Sequence, residues 1–233
     1  MRGVMCALAL LAACGQSEPG GRTAEATAAP TELAGHVVVI GHAGWRLDID
    51  PAAGMLLAIE DGAQTISAAH AAPQRTSNGF RFVSGDLRVT LENTACVQDG
   101  ADFPMTAEVR ARGRTLLGCA TERWDAHLIE RVPQIDACIA LAPEARRVTW
   151  AGPRARGYVV RLWGESGGVD CAVGLAGYAQ VAPRDDNVRI GGEREAIFVR
   201  APGPNPGGEC FEAPEVRSAE GELLGWMDDP LGC

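Results

Sequence analysis

The chain has 233 residues, of which 46% are hydrophobic, enough to bury the core of one large or two small domains. Its formal net charge is −9, and all 21 basic residues are arginines because the sequence contains no lysine. An acidic chain without a cluster of basic residues lacks the charge that binds phosphate backbones, so we exclude nucleic acid as a partner and expect a cationic or neutral one.

The chain begins with the pattern of a secretory signal, in which one arginine precedes an apolar run over residues 4–13. This run is too short to span a bilayer as a permanent helix. It ends in Leu-Ala-Ala-Cys at 11–14, which resembles a bacterial lipoprotein signal whose Cys14 thiol is acylated and becomes the new N-terminus. The resemblance implies a membrane anchor at Cys14. Since Gly15 is not an aspartate, it also implies the periplasmic face of the outer membrane; a secretory signal cleaved after Ala13 is the alternative.

The next segment, residues 14–34, is rich in Gly, Ala, Thr, Glu and Pro and has no apolar period, which predicts a flexible tether. Short apolar or alternating runs separated by turn residues then predict eight strands. These runs are 37–40, 45–49, 55–59, 65–69, 80–83, 87–91, 106–110 and 115–119. Their spacing predicts an antiparallel sheet rolled into a small barrel or half-barrel.

The second half of the chain predicts one helix and a further group of strands. A connector over 121–133, with Trp124 packed on the first unit, is followed by apolar residues at helical spacing between Pro133 and Pro143. This pattern predicts a short helix that starts at Pro133. Further strands are predicted at 148–150, 158–163, 169–173, 178–181, 197–200 and 223–227.

The predicted fold class is mainly β, with a smaller disulfide-stapled α+β domain after the barrel or half-barrel. The predicted domain organisation is signal peptide 1–13, tether 14–34, β-domain 35–122 and α+β domain 128–233.

Six cysteines remain once Cys6, inside the signal, and Cys14 are set aside. An even number in an exported chain predicts disulfide bonds, and the absence of any C-x-x-C pair disfavours zinc or thioredoxin-like chemistry. Fifteen connectivities are open in principle. We expect sequential pairing, because each bridge then lies within one local group of strands: Cys96 with Cys119, Cys138 with Cys171, and Cys210 with Cys233.

Several motifs occur together between residues 41 and 120. Gly41 and Trp45 open the stretch, Cys-Val-Gln-Asp-Gly at 96–100 is followed by Phe-Pro, and Arg-Thr-Leu-Leu-Gly-Cys-Ala closes it at 114–120. These motifs resemble an uncharacterised group of proteobacterial lipoproteins with a small META-like β-domain, although the proline and phenylalanine that precede the family's tryptophan are missing here. The resemblance implies a META-like β-domain over 35–122 and supports the Cys96–Cys119 bridge. It implies no reaction.

One motif is typical of an enzyme. Gly-Glu-Ser-Gly-Gly at 164–168 fits G-x-S-x-G, and His70 precedes Ser166 in the order of trypsin-like proteases. A nucleophile elbow needs a helix after the serine, however, and residues 169–173 predict a returning strand, so we predict a hairpin turn at 164–168. The four histidines lack metal-ligand spacing. We therefore expect no catalytic residue, no metal and no cofactor.

Five tryptophans against two tyrosines is an unusual balance. Most are expected in the core, and Trp45 and Trp163 are the candidate binding aromatics, because an indole lining a groove can stack on a glycan or a peptide. The predicted function is a lipid-anchored periplasmic protein, a non-enzymatic binding or envelope-maintenance module with an envelope protein or glycan as partner. A lysozyme-inhibitor-like protein, whose acidic groups would meet a basic muramidase, is one alternative, and a serine hydrolase using Ser166 is the other.

Overall fold

The computed structural model describes most of the chain after the predicted tether. The described residues are 31–42, 44–154, 157–207 and 212–228. The predicted signal peptide, the anchor at Cys14, most of the tether, and the predicted Cys210–Cys233 bridge lie outside them. Within the described ranges, no helix combines the length and the apolar character needed to cross a membrane.

The fold is mainly β, as predicted. The first eleven strands are β1 (Val37–Gly41), β2 (Trp45–Asp50), β3 (Gly54–Ile59), β4 (Gln64–Ala68), β5 (Gln74–Thr76), β6 (Gly79–Ser84), β7 (Leu87–Glu92), β8 (Cys96–Gln98), β9 (Ala101–Phe103), β10 (Met105–Ala111) and β11 (Arg114–Glu122). A 3₁₀ helix (Trp124–His127) and helix α1 (Leu128–Ile139) follow. The remaining strands are β12 (Arg147–Arg154), β13 (Gly157–Gly164), β14 (Gly167–Gly174), β15 (Ala179–Pro183), β16 (Arg189–Ile190), β17 (Ile197–Arg200), β18 (Glu215–Arg217) and β19 (Leu223–Asp228).

Nine strands form the first sheet, in the order β4-β3-β2-β1-β11-β10-β7-β6-β5, and it curls into a half-barrel. All eight predicted strands of this region are present. Alternate residues of each strand face inward, as the period of two requires, and fill a continuous apolar core. That core includes Val39, Leu47, Ile49, Leu57, Phe82, Val89, Leu91 and Val109. The folded part begins slightly earlier than predicted, because Leu33 packs against this core.

The second sheet has seven strands, in the order β15-β14-β13-β12-β17-β19-β18, and α1 packs against it. Its core contains Ile135 and Cys138 from the helix together with Val148, Leu162 and Phe198 from the strands. Trp124 belongs to this second core and donates from Nε1 to the Ala196 carbonyl at 3.0 Å. The prediction that Trp124 packs on the first unit is therefore wrong. The division into two domains stays a prediction.

The helix differs from the prediction at both ends. It begins at Leu128, and Pro133 lies inside it rather than at its start. Leu128 and Ile135 are seven residues apart and share the buried face, and this spacing outweighs the cost of the proline. Leu141, which continues the apolar spacing that predicted a helix between Pro133 and Pro143, lies beyond the last helical residue and is 53% exposed.

Two of the three predicted disulfide bonds are present. Cys96–Cys119 ties β8 to β11, and Cys138–Cys171 ties α1 to β14. A third, three-stranded sheet, β16-β9-β8, joins the two halves of the chain through a parallel pairing of β16 with β9. These links fix β8 across the outer face of the first sheet, where the candidate site lies.

Candidate functional site

A groove with a volume of about 740 Å³ lies on the outer face of the first sheet; we call it the outer-face groove. Its floor is formed by the side chains of β6, β7, β10 and β11 that point away from the barrel core. Strand β8 closes one end, held by the Cys96–Cys119 bridge. Cavities of this size are typical of small-molecule sites.

The strand register arranges the floor in rows of residues that lie directly opposite one another. The row farthest from the disulfide is Val83, Arg88, Arg110 and Thr115. The next row is Arg81, Thr90, Glu108 and Leu117. The last row, beside the disulfide, contains Glu92, Thr106 and Cys119.

Two arginines face each other in the first row. Arg88 on β7 and Arg110 on β10 are direct cross-strand partners, and both are exposed. Like charges in directly opposite positions destabilise a sheet. Arg110 is compensated by Glu108, whose Oε1 accepts from its Nε at 2.6 Å. Arg88 and Arg81, by contrast, have no hydrogen-bond or ion-pair partner among the described residues. Two guanidinium groups are thus available to an anion.

The groove also exposes apolar surface. Val83, Val97 and Leu117 line it and are 41%, 64% and 67% exposed. Clustered exposed apolar side chains commonly mark a binding surface. A ligand that suits the groove therefore combines a negative charge with an apolar part.

The closed end of the groove is polar and ordered. The Gln98 amide nitrogen lies 2.9 Å from His42 Nδ1 and donates to Asp99 Oδ2 at 3.1 Å. Because the carboxylate of Asp99 can only accept, this nitrogen is the amide donor, and neutral His42 then carries its proton on Nε2. Gln98 is 4% exposed, so the end wall is held rigidly.

A charged network lies at the junction of the two sheets. Arg46 on β2 donates to both carboxylate oxygens of Glu195, at 2.8 and 2.7 Å, and to both of Asp48. Burial favours the protonated form of Asp48, but hydrogen bonds from His36 and Arg46 outweigh this and hold its pKa well below the ordinary value. The hydrogen bond to Asp48, followed in strength of effect by the one to Glu195, raises the pKa of Arg46.

The two candidate binding aromatics have different environments. Trp45 is 5% exposed and belongs to the half-barrel core, because it shares the inward face of β2 with Leu47 and Ile49, so little of its ring is open to stacking. Trp163 lies on β13 and is 39% exposed. It remains a candidate.

The predicted hairpin turn at 164–168 is confirmed. Gly164 of β13 pairs with Gly167 of β14, and Glu165 and Ser166 form the two-residue loop between them. Gly167 has a φ of 115°, which its lack of a Cβ permits. Within the described residues no hydrogen bond joins Ser166 to His70, and no group of three or more His, Cys, Asp or Glu side chains is placed to hold a metal ion.

The net charge of −9 is a sum over the whole chain and does not show that arginines meet in one groove. Arg88 and Arg110 are 22 positions apart, and only the register of β7 with β10 makes them neighbours. The alternation in Leu-Arg-Val-Thr-Leu already placed Arg88 on the outer face. Comparison with protein-family models finds no match, and curated proteins and solved structures give none either. The function must therefore be argued from the site itself.

Proposed function

We propose that the protein is a lipid-anchored, non-enzymatic binding protein of the bacterial cell envelope whose outer-face groove binds an anionic, partly apolar envelope component. The observation that carries this proposal is the cross-strand pair of Arg88 and Arg110. Glu108 offsets the charge of Arg110, so the unpaired guanidinium of Arg88 is the group that an anion would contact, and the exposed Val83 and Leu117 would contact the apolar part of the same ligand.

The charges of the groove and the position of Ser166 both bear on the two alternative functions, a lysozyme inhibitor and a serine hydrolase. A lysozyme inhibitor must present acidic groups to a basic enzyme, whereas this groove carries three arginines, Arg81, Arg88 and Arg110, against Glu92 and Glu108, so we do not favour that role here. A serine hydrolase needs its nucleophile at a strand-to-helix turn, and Ser166 is at the tip of a hairpin between two antiparallel strands. We therefore propose binding without catalysis.

The membrane anchor at Cys14, on the periplasmic face of the outer membrane, is part of the same proposal and rests on the lipoprotein-like pattern at 11–14. The relationship to the META-like lipoproteins is also a proposal. It is supported by the half-barrel and by the bridge between Cys96 and Cys119, which lie in two of the matching motifs. Intact-mass analysis of the protein expressed with its own signal tests the anchor, because only an acylated Cys14 gives the corresponding mass.

The binding proposal is tested with a probe that has both required properties, a dansyl-labelled fatty acid. We expect saturable enhancement of dansyl fluorescence with the acid and a much smaller one with its methyl ester, which keeps the apolar chain but lacks the charge. Arg88→Gln should weaken binding of the acid by about tenfold, as expected for the loss of one charge-assisted contact.

Arg112→Gln is the matched control, since Arg112 is exposed in the turn between β10 and β11, outside the groove. It removes the same charge and should leave binding unchanged. Equal binding of acid and ester, or equal losses in the two variants, would show that no specific anion contact exists at Arg88.

A further inference from the structure

A second arginine-rich surface, at the exposed Trp163, lies on the other half of the chain and is independent of the outer-face groove. Trp163 is 39% exposed, whereas the other four tryptophans, all within the described ranges, are at most 6% exposed. An indole left open at the edge of a well-packed sheet needs an explanation, because tryptophan is normally highly buried.

The floor beneath the indole is a glycine. Gly168 on β14 is the direct cross-strand partner of Trp163. A Cβ at position 168 would lie 3.0 Å from Cε3 and Cζ3 of the ring and 2.9 Å from Cδ of Arg184. The bare Cα of Gly168 therefore lets both the ring and the Arg184 side chain lie close to the sheet, and any larger residue would displace them.

Arg184 is part of a fixed support. Its guanidinium carbon is 6.0 Å from the centre of the Trp163 ring, and its Nη1 lies 2.9 Å from Glu193 Oε1. Glu193 also accepts from Arg161 Nη1 at 2.7 Å, and Arg161 is 1% exposed and held by both oxygens of Asp170. Nη1 and Nη2 of Arg184 are thus directed at Glu193, whereas its buried Nε lies 3.2 Å from Asp186 Oδ1 and has no hydrogen-bond partner among the described residues.

Arg194 is placed differently. Its guanidinium carbon is 5.2 Å from the centre of the Trp163 ring, yet in the part of the chain that the structure describes the guanidinium has no hydrogen-bond or ion-pair partner. Its backbone has a φ of +64°, in the left-handed region that a non-glycine residue rarely adopts, and its N–H donates to the Thr149 carbonyl at 3.0 Å. Such conformations concentrate at functional sites.

Arg194 also faces a cleft of about 580 Å³ between the two sheets. Three carboxylates of this cleft are already paired inside the protein: Glu193 with Arg161 and Arg184, Glu195 with Arg46, and Asp186 with Arg184. The guanidinium of Arg194 is therefore an unpaired cation beside three paired acids, and a fourth carboxylate of the cleft, Asp99, has the Gln98 amide but no cationic partner among the described residues. A ligand anion that reached it would not meet an unpaired carboxylate from these three residues.

We infer that Trp163 and Arg194 form a binding site for an acidic sugar, with the indole against the sugar ring and the Arg194 guanidinium on its carboxylate. A flat aromatic ring offers apolar area with a defined orientation, and a guanidinium binds a carboxylate through two parallel hydrogen bonds. Arg184 and Glu193 act as positioning residues that hold the indole and the 193–194 backbone in place.

The test uses two sugars that differ only in the acidic group: N-acetylmuramic acid, which carries a lactyl carboxylate, and N-acetylglucosamine, which does not. Trp163 is the exposed tryptophan, so quenching of intrinsic fluorescence of the full chain reports on this site. We expect the wild-type protein to bind the acid about tenfold more tightly than the neutral sugar, the ratio that one charge-assisted bidentate contact provides.

Arg194→Asn removes the guanidinium and keeps a residue that tolerates the left-handed backbone, so it should abolish the preference for the acid without changing the urea midpoint. Arg194→Lys keeps the charge and should retain part of the preference. Arg217→Gln, at an exposed arginine on β18, is the control and should change neither affinity. Trp163→Leu should weaken both sugars and remove the quenching.

Equal affinities for the two sugars, no binding of either at millimolar concentrations, or an unchanged preference in Arg194→Asn would overturn the proposal. Because Trp163 and Arg194 do not line the outer-face groove, none of these outcomes decides the dansyl fatty acid experiment.

Discussion

Replacing Arg88 with glutamate should make the free protein more stable while it abolishes binding in the outer-face groove. Arg88 and Arg110 are direct cross-strand partners, which places their Cβ atoms about 5 Å apart. Arg88→Glu converts a repulsive pair into an attractive one. Each of these two changes is worth roughly 0.2–1 kcal/mol on a sheet surface, and Glu108 already offsets part of the charge of Arg110, so we expect a gain of at most about 1 kcal/mol in the free energy of unfolding. For a chain of this size, that is a rise of about 2–4 °C in Tm.

Urea denaturation and thermal melts followed by circular dichroism measure the gain. Arg88→Gln removes the repulsion between the two arginines without adding an attraction, so it should give about half of the gain in the free energy of unfolding. Because both side chains are exposed, the difference should shrink in molar salt, where the screening length is only about 3 Å.

Two results would refute this reasoning: a loss of stability in Arg88→Glu, or a gain that is independent of salt concentration. A loss would mean that Arg88 makes a favourable contact in the free protein, and a salt-independent gain would mean that the gain does not come from relieved charge repulsion. The pair would then be no evidence for an anionic ligand.

Three further predictions concern the scaffold. The pKa of Asp48 is lower in the folded than in the unfolded chain, so the stability that Asp48 contributes is present above its ordinary pKa of 3.8 and is lost as the pH falls below that value. The urea midpoint of Asp48→Asn should therefore depend less on pH in this acid range than that of the wild type. Arg161→Met should lower the free energy of unfolding by about 3 kcal/mol, which is at the lower end for a broken buried ion pair because Asp170 is 24% exposed. In the same urea assay, the double variant Arg161→Met with Asp170→Asn should recover part of this loss. Replacing Cys138 and Cys171 with alanine opens a loop of 33 residues and should cost about 4 kcal/mol, measured as a lower urea midpoint than that of the wild type; because Cys96–Cys119 remains in the variant, reductant should narrow this difference rather than leave the variant unaffected.

The strands of the first sheet were predictable because half-buried strands alternate. Trp45, Leu47 and Ile49 occupy every second position of β2, so the sequence itself indicates that Trp45 shares the buried face. Val160 and Leu162 are buried on β13, and Trp163 is out of phase with them. The period of two therefore places Trp45 in the core and Trp163 on the other face of β13, but it does not by itself predict exposure, because Arg161 on that face is 1% exposed.

Short strands and the start of the helix were less predictable. Strands β5, β8 and β9 have three residues each, too few for a period to be visible, and they form by pairing with elements already in place. Pro133 is typical of a first helical turn, but the apolar face that includes Leu128 extends the helix five residues upstream. Tertiary packing outweighs the local signal at this position.

The character of the candidate site was the least predictable part. Net charge is a sum over the chain, and a value of −9 led to the expectation of a cationic or neutral partner. The register brings Arg81, Arg88 and Arg110 into one groove, and the ion pairs of the sheet junction use several of the acids. Local charge depends on strand pairing, which the sequence alone does not specify.

The most direct test of the central claim, that the outer-face groove binds an anionic amphiphile, is photo-cross-linking of the full-length protein with a diazirine-labelled fatty acid, followed by peptide mass spectrometry. The account predicts labelling concentrated on the peptides that contain Val83, Val97 and Leu117, and its loss in Arg88→Glu but not in Arg112→Gln. Labelling that lies outside these peptides, or that persists undiminished in Arg88→Glu, would contradict it.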